Sequence, residues 1–298
     1  MKIEITFLGT GSAIPTAKRN HTAILINYGA ENILIDCGEG TQRQFKIAKL
    51  NPCKLTRILL THWHADHALG IPGLLKTLDM SDYSKTLYIY GPKGTKEKIR
   101  LLEKIYGKFR INPEIHEVSS GILIDEKEFL IETKPVPHKM PTNAYALIIK
   151  DKLRLRKDIL KKLKLPSSPL LGKLQQGKDV TFKGKKLKAK NMTYLQKGKK
   201  ITFVLDSAMS NNSIKLAKNS DILICESSYS SKEEEKAREY CHLTAKQAAT
   251  IAKKAKVKKL ILTHLSHKNE HNTKLILDEA KKVFKATHVA KDFDKIIV

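Results

Sequence analysis

Thr61-His62-Trp63-His64-Ala65-Asp66-His67-Ala68 packs four potential metal-binding side chains into six consecutive positions. The chain has 11 histidines in 298 residues, so the clustering points to a built site rather than to a His-rich composition. The spacing is not that of a helical zinc motif, whose two histidines stand one turn apart. His62 and His64 are two positions apart, as on an extended segment or a tight loop. Before them, Arg57-Ile58-Leu59-Leu60 reads as a buried strand; after them, Leu74, Leu75 and Leu78 give helical spacing between Ala68 and Leu78. The motif therefore lies on a strand-to-helix loop. Imidazole and carboxylate donors suit zinc, and these four cannot all crowd one tetrahedral ion, which favours two neighbouring metals that take further ligands from elsewhere.

Those further donors can be found at strand ends. Thr133-Lys134-Pro135-Val136-Pro137-His138, Ile201 to Asp206 (ITFVLD) and Leu260-Ile261-Leu262-Thr263-His264 each end an apolar run in a His or Asp. One such residue alone is more often structural than functional. Together the three complete two three-ligand sets and a bridge.

With these residues in place, the chain resembles the metallo-β-lactamase superfamily and, within it, the ribonuclease Z family. The likeness is carried by Phe7-Leu8-Gly9-Thr10-Gly11-Ser12, the loop Pro15 to Asn20, Asp36-Cys37-Gly38-Glu39-Gly40-Thr41-Gln42-Arg43-Gln44 and Ile89-Tyr90-Gly91-Pro92. The H-x-H-x-D-H motif identifies the superfamily, whereas Asp36 to Gln44 is the more specific signal. The resemblance implies two Zn²⁺ per subunit: His62, His64 and His138 as ligands of the first, Asp66, His67 and His264 of the second, with Asp206 bridging. It also implies catalytic roles for Asp66, for Glu226 in Cys225-Glu226-Ser227-Ser228-Tyr229 and for His242, for which the plainer alternative is an N-cap or surface histidine before the helix Ala245 to Lys256. His21, His116, His267, His271 and His288 are left without a role.

The sequence departs from the family pattern in several places. Asp206 is flanked by Leu205 and Ser207-Ala208-Met209, where the family has Gly before and Thr-Arg-Pro after it. Ala144-Tyr145 replaces Gly-Tyr, and the lysine of the Pro15 to Asn20 loop, Lys18, comes one place late beside Arg19. Lys268 stands where an arginine often follows the last histidine; it can hold a phosphate as a point charge but not as a bidentate fork. None of these changes removes a metal ligand.

Charge gives an independent line. With 56 Lys+Arg against 30 Asp+Glu the net charge is +26, so the surface attracts polyanions. Lys150 to Lys200 holds 18 of the basic and 3 of the acidic residues, and so carries +15. Within it, Ile159, Leu160 and Leu163 have helical spacing, Pro166-Ser167-Ser168-Pro169 breaks the chain, and Val180 to Ala189 alternates like a hairpin. The expectation is a protruding basic arm, residues 150–200, without a core of its own. Its position between His138 and Asp206 resembles the family's tRNA-gripping exosite, with Lys161, Lys162, Lys173, Lys185 and Lys186 as candidate substrate contacts. Lysines that merely solubilise a loop, or that reflect a heat-adapted composition, are the plainer alternative. Phe182 and Tyr194 are too few aromatics to stack a run of single-stranded bases, so recognition through phosphates and duplex shape is expected.

Short apolar strands recur in both halves (Ile3 to Leu8, Ala23 to Ile26, Ile33 to Ile35; Ile201 to Leu205, Ile222 to Cys225, Leu260 to Leu262), separated by amphipathic helices Lys93 to Tyr106, Ala245 to Lys256 and Thr273 to Phe284. This pattern gives an α/β fold. The resemblance makes it a four-layer αβ/βα sandwich, one domain over 1–298 with the arm inserted. Cys37, Cys53, Cys225 and Cys241 form no C-x-x-C pair and read as reduced and buried. No apolar run reaches a membrane span or a leader's core, and a cytoplasmic place is expected.

The activity implied is that of a zinc-dependent endoribonuclease removing the 3′ trailer of precursor tRNA after the discriminator nucleotide. Asp66 would orient the attacking hydroxide and accept its proton, and His242, oriented by Glu226, would protonate the departing 3′ oxygen. The family's arrangement adds a homodimer in which the arm of one subunit holds the tRNA cut by the other. The rival is a small-molecule lactone or thioester hydrolase of the same superfamily, which has no need of the arm.

Overall fold

The computed structural model describes residues 2–298, which form two compact units: a larger one of residues 2–124, 131–147 and 200–298, and a smaller one of residues 125–130 and 148–199. The larger unit is built on two seven-stranded sheets. The first runs in the order Lys295–Ile297, Ile3–Gly9, Ala23–Tyr28, Glu31–Ile35, Arg57–Leu59, Tyr88–Gly91, Glu114–Glu117. Its first four strands pair antiparallel and the remainder parallel. The second has the order Thr287–Val289, Lys259–Thr263, Ile222–Glu226, Lys199–Val204, Asn143–Ile149, Phe129–Pro135, Gly121–Asp125, and its first four strands are parallel.

Alternation along each strand sends side chains to two different layers. Ile26, Ile33, Ile35 and Leu59 of the first sheet meet Ile131, Tyr145, Leu147 and Phe203 of the second between the sheets, while Leu25, Leu34 and Ile58 point the other way. The latter pack under helices Thr41–Ile47, Ile71–Met80 and Thr95–Tyr106 through Phe45, Leu74, Leu75, Leu78 and Ile99. Val204, Leu223, Leu260 and Leu262 of the second sheet likewise pack under Asn211–Ala217, Ala245–Lys254 and Thr273–Val283. The result is the four-layer metallo-β-lactamase sandwich. Burial on both faces explains why Ile222-Leu223-Ile224-Cys225 reads as an unbroken apolar run. Fully burying each such side chain contributes about 1.5–3 kcal/mol.

The smaller unit differs from the expectation in three ways. It has a core of its own: Leu174, Val180, Ala189 and Met192 are buried, with Leu155, Ile159, Leu160 and Leu170 packed against them. Pro169–Gln175 is a second helix. Ser168-Pro169 therefore starts a helix as well as ending the previous segment, because proline at the first helical position loses no hydrogen bond. Ala189 belongs to a short helix, Ala189–Met192, and the hairpin is confined to Val180–Phe182 and Lys185–Leu187. Lys183 and Gly184 turn it with φ of 47° and 73°, the left-handed pair of a type I′ turn. Lys152–Leu155 and Thr193–Gln196 close the unit as an antiparallel pair. At its neck, a Cβ on Gly198 would lie 1.9 Å from the Ile149 carbonyl oxygen, so the entering and leaving backbones abut.

All four cysteines are free, but only Cys37 and Cys225 are buried; Cys53 and Cys241 are half-buried, which corrects the reading of four buried thiols. No helix among the described residues is long and apolar enough to cross a membrane.

Candidate metal centre

The centre lies where parallel strands end, the usual place for function in an open α/β sheet. Asp36 follows Glu31–Ile35, Thr61 and His62 follow Arg57–Leu59, Asp206 follows Lys199–Val204, Glu226 ends Ile222–Glu226, and His264 follows Lys259–Thr263. Asp36, Asp206 and His264 turn away from their strands with φ of 56°, 25° and 56°. Gly38 is needed because a Cβ there would meet the Asp66 carbonyl oxygen at 2.4 Å; the Asp36 to Gly40 turn is pressed against the histidine motif.

Two groups of donors result. In the first, His64 Nδ1 is 3.0 Å from His62 Nε2 and 3.1 Å from His138 Nε2. In the second, His264 Nε2 is 3.1 Å from His67 Nε2 and 3.2 Å from Asp66 Oδ2. Asp206 faces both: Oδ1 lies 3.2 Å from His67 Nε2 and 3.1 Å from His264 Nε2, Oδ2 3.6 Å from His62 Nε2 and 3.8 Å from His138 Nε2. Ligands 2.0–2.1 Å from a tetrahedral ion stand roughly 3.3 Å from one another. The sets His62, His64, His138, Asp206 and Asp66, His67, Asp206, His264 could each hold a metal on this spacing. Asp206 Oδ1 is buried and accepts no hydrogen bond, which is costly unless a cation meets it.

A surrounding layer fixes which ring nitrogen faces inward. His67 Nδ1 lies 2.7 Å from Asp36 Oδ2, His62 Nδ1 3.0 Å from Thr61 Oγ1, His138 Nδ1 3.1 Å from the Cys241 carbonyl and His264 Nδ1 2.9 Å from Ser228 Oγ. Ser228 in turn donates to Glu226 Oε2 at 2.6 Å. A carboxylate or carbonyl on Nδ1 keeps the proton there and the Nε2 lone pair free for a metal. Neither Asp36 nor Ser228 has a role in the sequence reading, although Asp36 opens the stretch most specific to the family and Ser228 lies two residues from Glu226.

Electrostatics separate the histidines. Burial, helped by the neighbouring His67, holds His62 well below its ordinary pKa; burial also lowers His64, helped by His138, and His138, helped by His242. For His67, burial works against protonation but the Asp206, Asp36 and Asp66 carboxylates override it and raise the pKa well above the usual value. Burial alone would raise Asp66, yet the His67 and His264 rings keep it firmly ionised.

His242 stands beside the two groups, its Nδ1 3.1 Å from both oxygens of Glu226. Helix Glu234–Glu239 delivers it through a left-handed C-terminal turn in which Cys241 has φ 57° and the His242 and Cys241 N–H groups donate to the carbonyls of Ala237 and Arg238. Burial disfavours its cation, but Glu226 and Asp206 raise its pKa to about 9. Glu226 is fully buried and also accepts the Ser207 N–H at 2.6 Å. The donor is the backbone N–H of Ser207, which any residue but proline would supply, so the departure at Ser207 leaves the bond intact.

Comparison with known proteins separates two likenesses. A family profile described as anti-Pycsar protein Apyc1 matches residues 3–174, which takes in the histidine motif and His138 but stops before Asp206, Glu226, His242 and His264. A ribonuclease Z of Methanothermobacter thermautotrophicus is 38% identical over 292 residues, spanning 97% of this chain and 95% of the relative, and so includes them all. The chain belongs to the ribonuclease Z family. A second ribonuclease Z, from Bradyrhizobium diazoefficiens, is 37% identical over 99% of both chains. Among solved structures, human tRNase Z, short form, matches with a TM-score of 0.72 at 26% identity over 98% of each chain. The chain is thus a ribonuclease-type hydrolase that uses metal.

The remaining residues singled out from the sequence fall in three places. Lys268 lines a cleft of about 620 Å³ over the two donor groups, together with Lys139 and Lys236. Lys18 is exposed outside the residues lining that cleft. Arg19 is buried, its guanidinium donating to Thr10 Oγ1 and the Ala290 carbonyl, both at 2.7 Å. It braces the loop, which corrects its reading as a substrate contact. Lys161, Lys162, Lys173, Lys185 and Lys186 are exposed in the smaller unit; of these, Lys186 approaches Asp179 at 3.8 Å.

Proposed function

We propose that the protein removes the 3′ trailer of precursor tRNA by hydrolysing the phosphodiester after the discriminator nucleotide. Tetrahedral histidine and carboxylate spacing suits two Zn²⁺, held by the two groups that share Asp206. Such ions would bring the pKa of water toward neutrality and neutralise charge on the scissile phosphate. Asp66, kept anionic by His67 and His264, would orient the attacking hydroxide, formed once water at so lowered a pKa has given its proton to solvent. His242, cationic at neutral pH and steadied through Nδ1 by Glu226, gives a proton to the departing 3′ oxygen. The tRNA keeps a 3′ hydroxyl and the trailer leaves with a 5′ phosphate.

The observation that carries this reading is the pairing of a complete double donor set with an acid dyad, in a chain akin to ribonuclease Z over almost its whole length. Lys139, Lys236 and Lys268 around the cleft favour a polyanion over a neutral lactone or thioester. We take residues 150–200 as an exosite inserted in one catalytic domain. Its +15 charge would grip the tRNA body, and a cytoplasmic homodimer would let one subunit's exosite serve the other's centre. Incubation with one 3′-extended precursor, followed by mapping of both product ends, tests the reading. Cleavage after the discriminator that chelation abolishes is the expected result. An intact precursor under metal-loaded conditions refutes it.

A further inference from the structure

Tyr240 is 44% exposed on the rim of the cleft, and the Lys139 ammonium lies 4.5 Å from its ring centroid. Both are tied by short stretches of backbone to groups at the bottom of that cleft. Lys139 follows His138; Tyr240 precedes His242 by two residues, across the left-handed Cys241. The His138 and His242 rings stand 5.1 Å apart, and His138 Nδ1 is 3.1 Å from the Cys241 carbonyl. Hence Lys139 and Tyr240 share one rim.

Another part of the rim is different in kind. There the Ser12 N–H donates to the Leu265 carbonyl, which brings Ser12 to Ile14 beside Ser266 to Lys268. It offers hydroxyls, one lysine, an exposed isoleucine and the half-buried imidazole of His267, but no Tyr, Phe or Trp among the residues lining the cleft. Tyr229, the other tyrosine of the cleft, already lies against His242, with ring centroids 6.0 Å apart.

Polarity of the reaction assigns the two parts of the rim. An acid must face the oxygen that leaves, so the nucleoside bearing the departing 3′ oxygen lies on the His242 side and the trailer on the other. One face of the Tyr240 ring is taken by Lys139, which leaves the other for a planar partner. Every nucleobase has such a face, and stacking on an aromatic ring is tolerant of sequence. The geometry points to Tyr240, backed by Lys139, as the shelf on which the base of the nucleotide 5′ to the cut stacks; this inference rests on the endoribonuclease reading above. The shelf positions the scissile phosphate by holding the base next to it, and it accepts any of the four bases.

The test compares two precursors of one sequence, the second abasic at the nucleotide 5′ to the cut, with the wild type, Tyr240→Ala and Tyr240→Phe. Loss of one stacked base lowers kcat/KM by about 5- to 150-fold. The wild type and Tyr240→Phe should show that loss on the abasic precursor. Tyr240→Ala should show it already on the complete precursor, with little further loss on the abasic one. Equal cleavage of the two precursors by the wild type overturns the shelf, and needs no variant to fold. So does a Tyr240→Ala enzyme that loses the same factor as the wild type when the base is removed. If the wild type cuts neither precursor yet hydrolyses bis(p-nitrophenyl) phosphate, the endoribonuclease reading falls and the shelf falls with it.

Discussion

Asp36 Oδ2 lies 2.7 Å from His67 Nδ1, and both side chains are fully buried. The same carboxylate accepts the Thr61 N–H and hydroxyl, each at 2.7 Å, so it locks the first residue of the histidine motif and the tautomer of its last ligand at once. Asp36→Asn keeps the size but turns an amide N–H toward Nδ1 or leaves a Thr61 group unpaired. Metal affinity should fall 10- to 100-fold, the usual effect of losing such a supporting residue. Competition against a chromophoric chelator measures this, and unchanged affinity would show that the Asp36 bond orients nothing.

Metal uptake should expel protons. In the metal-free protein His67 is held protonated by three carboxylates, well above its ordinary pKa, and a metal needs the nitrogen bare. Loading at neutral pH therefore releases at least one proton, and affinity weakens as pH falls because the proton competes. Calorimetric titration in two buffers of different ionisation enthalpy reads the number. Identical heats in both buffers would contradict it.

Activity should decline on the alkaline side. The raised pKa of His242, about 9, means that the cation, which is the acid, is present below that pH and is lost as pH rises through it. Glu226 contributes more to the rise than Asp206 does, so Glu226→Gln should move the alkaline limb of kcat toward the ordinary histidine range. A limb that stays in place in Glu226→Gln and persists in His242→Ala would remove His242 from the chemistry.

Because Ile149 and Gly198 abut, residues 151–197 can be replaced by a short Gly-Ser turn without stretching the larger unit. Precursor binding should weaken, and the plot of log affinity against log salt should flatten by roughly 0.7–0.9 for each phosphate contact removed. Hydrolysis of a small phosphodiester, if the wild type performs it, should survive. An unaltered salt slope would make the basic unit a solvated appendage.

Asp66→Ala should lower cleavage by several orders of magnitude, on the scale of lost metal-assisted chemistry. If an exosite serves the partner's centre, mixed dimers of Asp66→Ala and the shortened chain regain cleavage that neither homodimer has. Verified mixed dimers without activity, or an active enzyme that sediments as a monomer, would exclude that arrangement.

What was legible in the sequence was what lies close together in it. Four donors within six residues announce a site by themselves, and apolar runs such as Ile222 to Cys225 mark strands buried on both faces. His138, Asp206 and His264 needed only the added rule that strand ends carry function. Asp36 and Ser228 escaped because their roles rest on partners 31 and 36 residues away, which no local pattern encodes. Arg19 misled for a related reason: a loop arginine looks like a phosphate ligand until Thr10 and Ala290 are seen around it. In the basic unit, lysines mask the leucine spacing of Leu170, Leu171 and Leu174, and with it the helix and the small core.

The left-handed backbone at Asp36, Asp206 and His264 bears on how this centre can be dissected. Asp, Asn and His are the non-glycine residues that visit that conformation most readily, so a donor and a chain reversal are combined in one residue at each of these positions. Alanine scanning would read two losses as one, since it removes the donor and also loads the backbone with a strain of about 1–3 kcal/mol. Asparagine at the three positions keeps the reversal and changes the functional group, so the Asn variants read the loss of that group without the backbone strain that alanine adds.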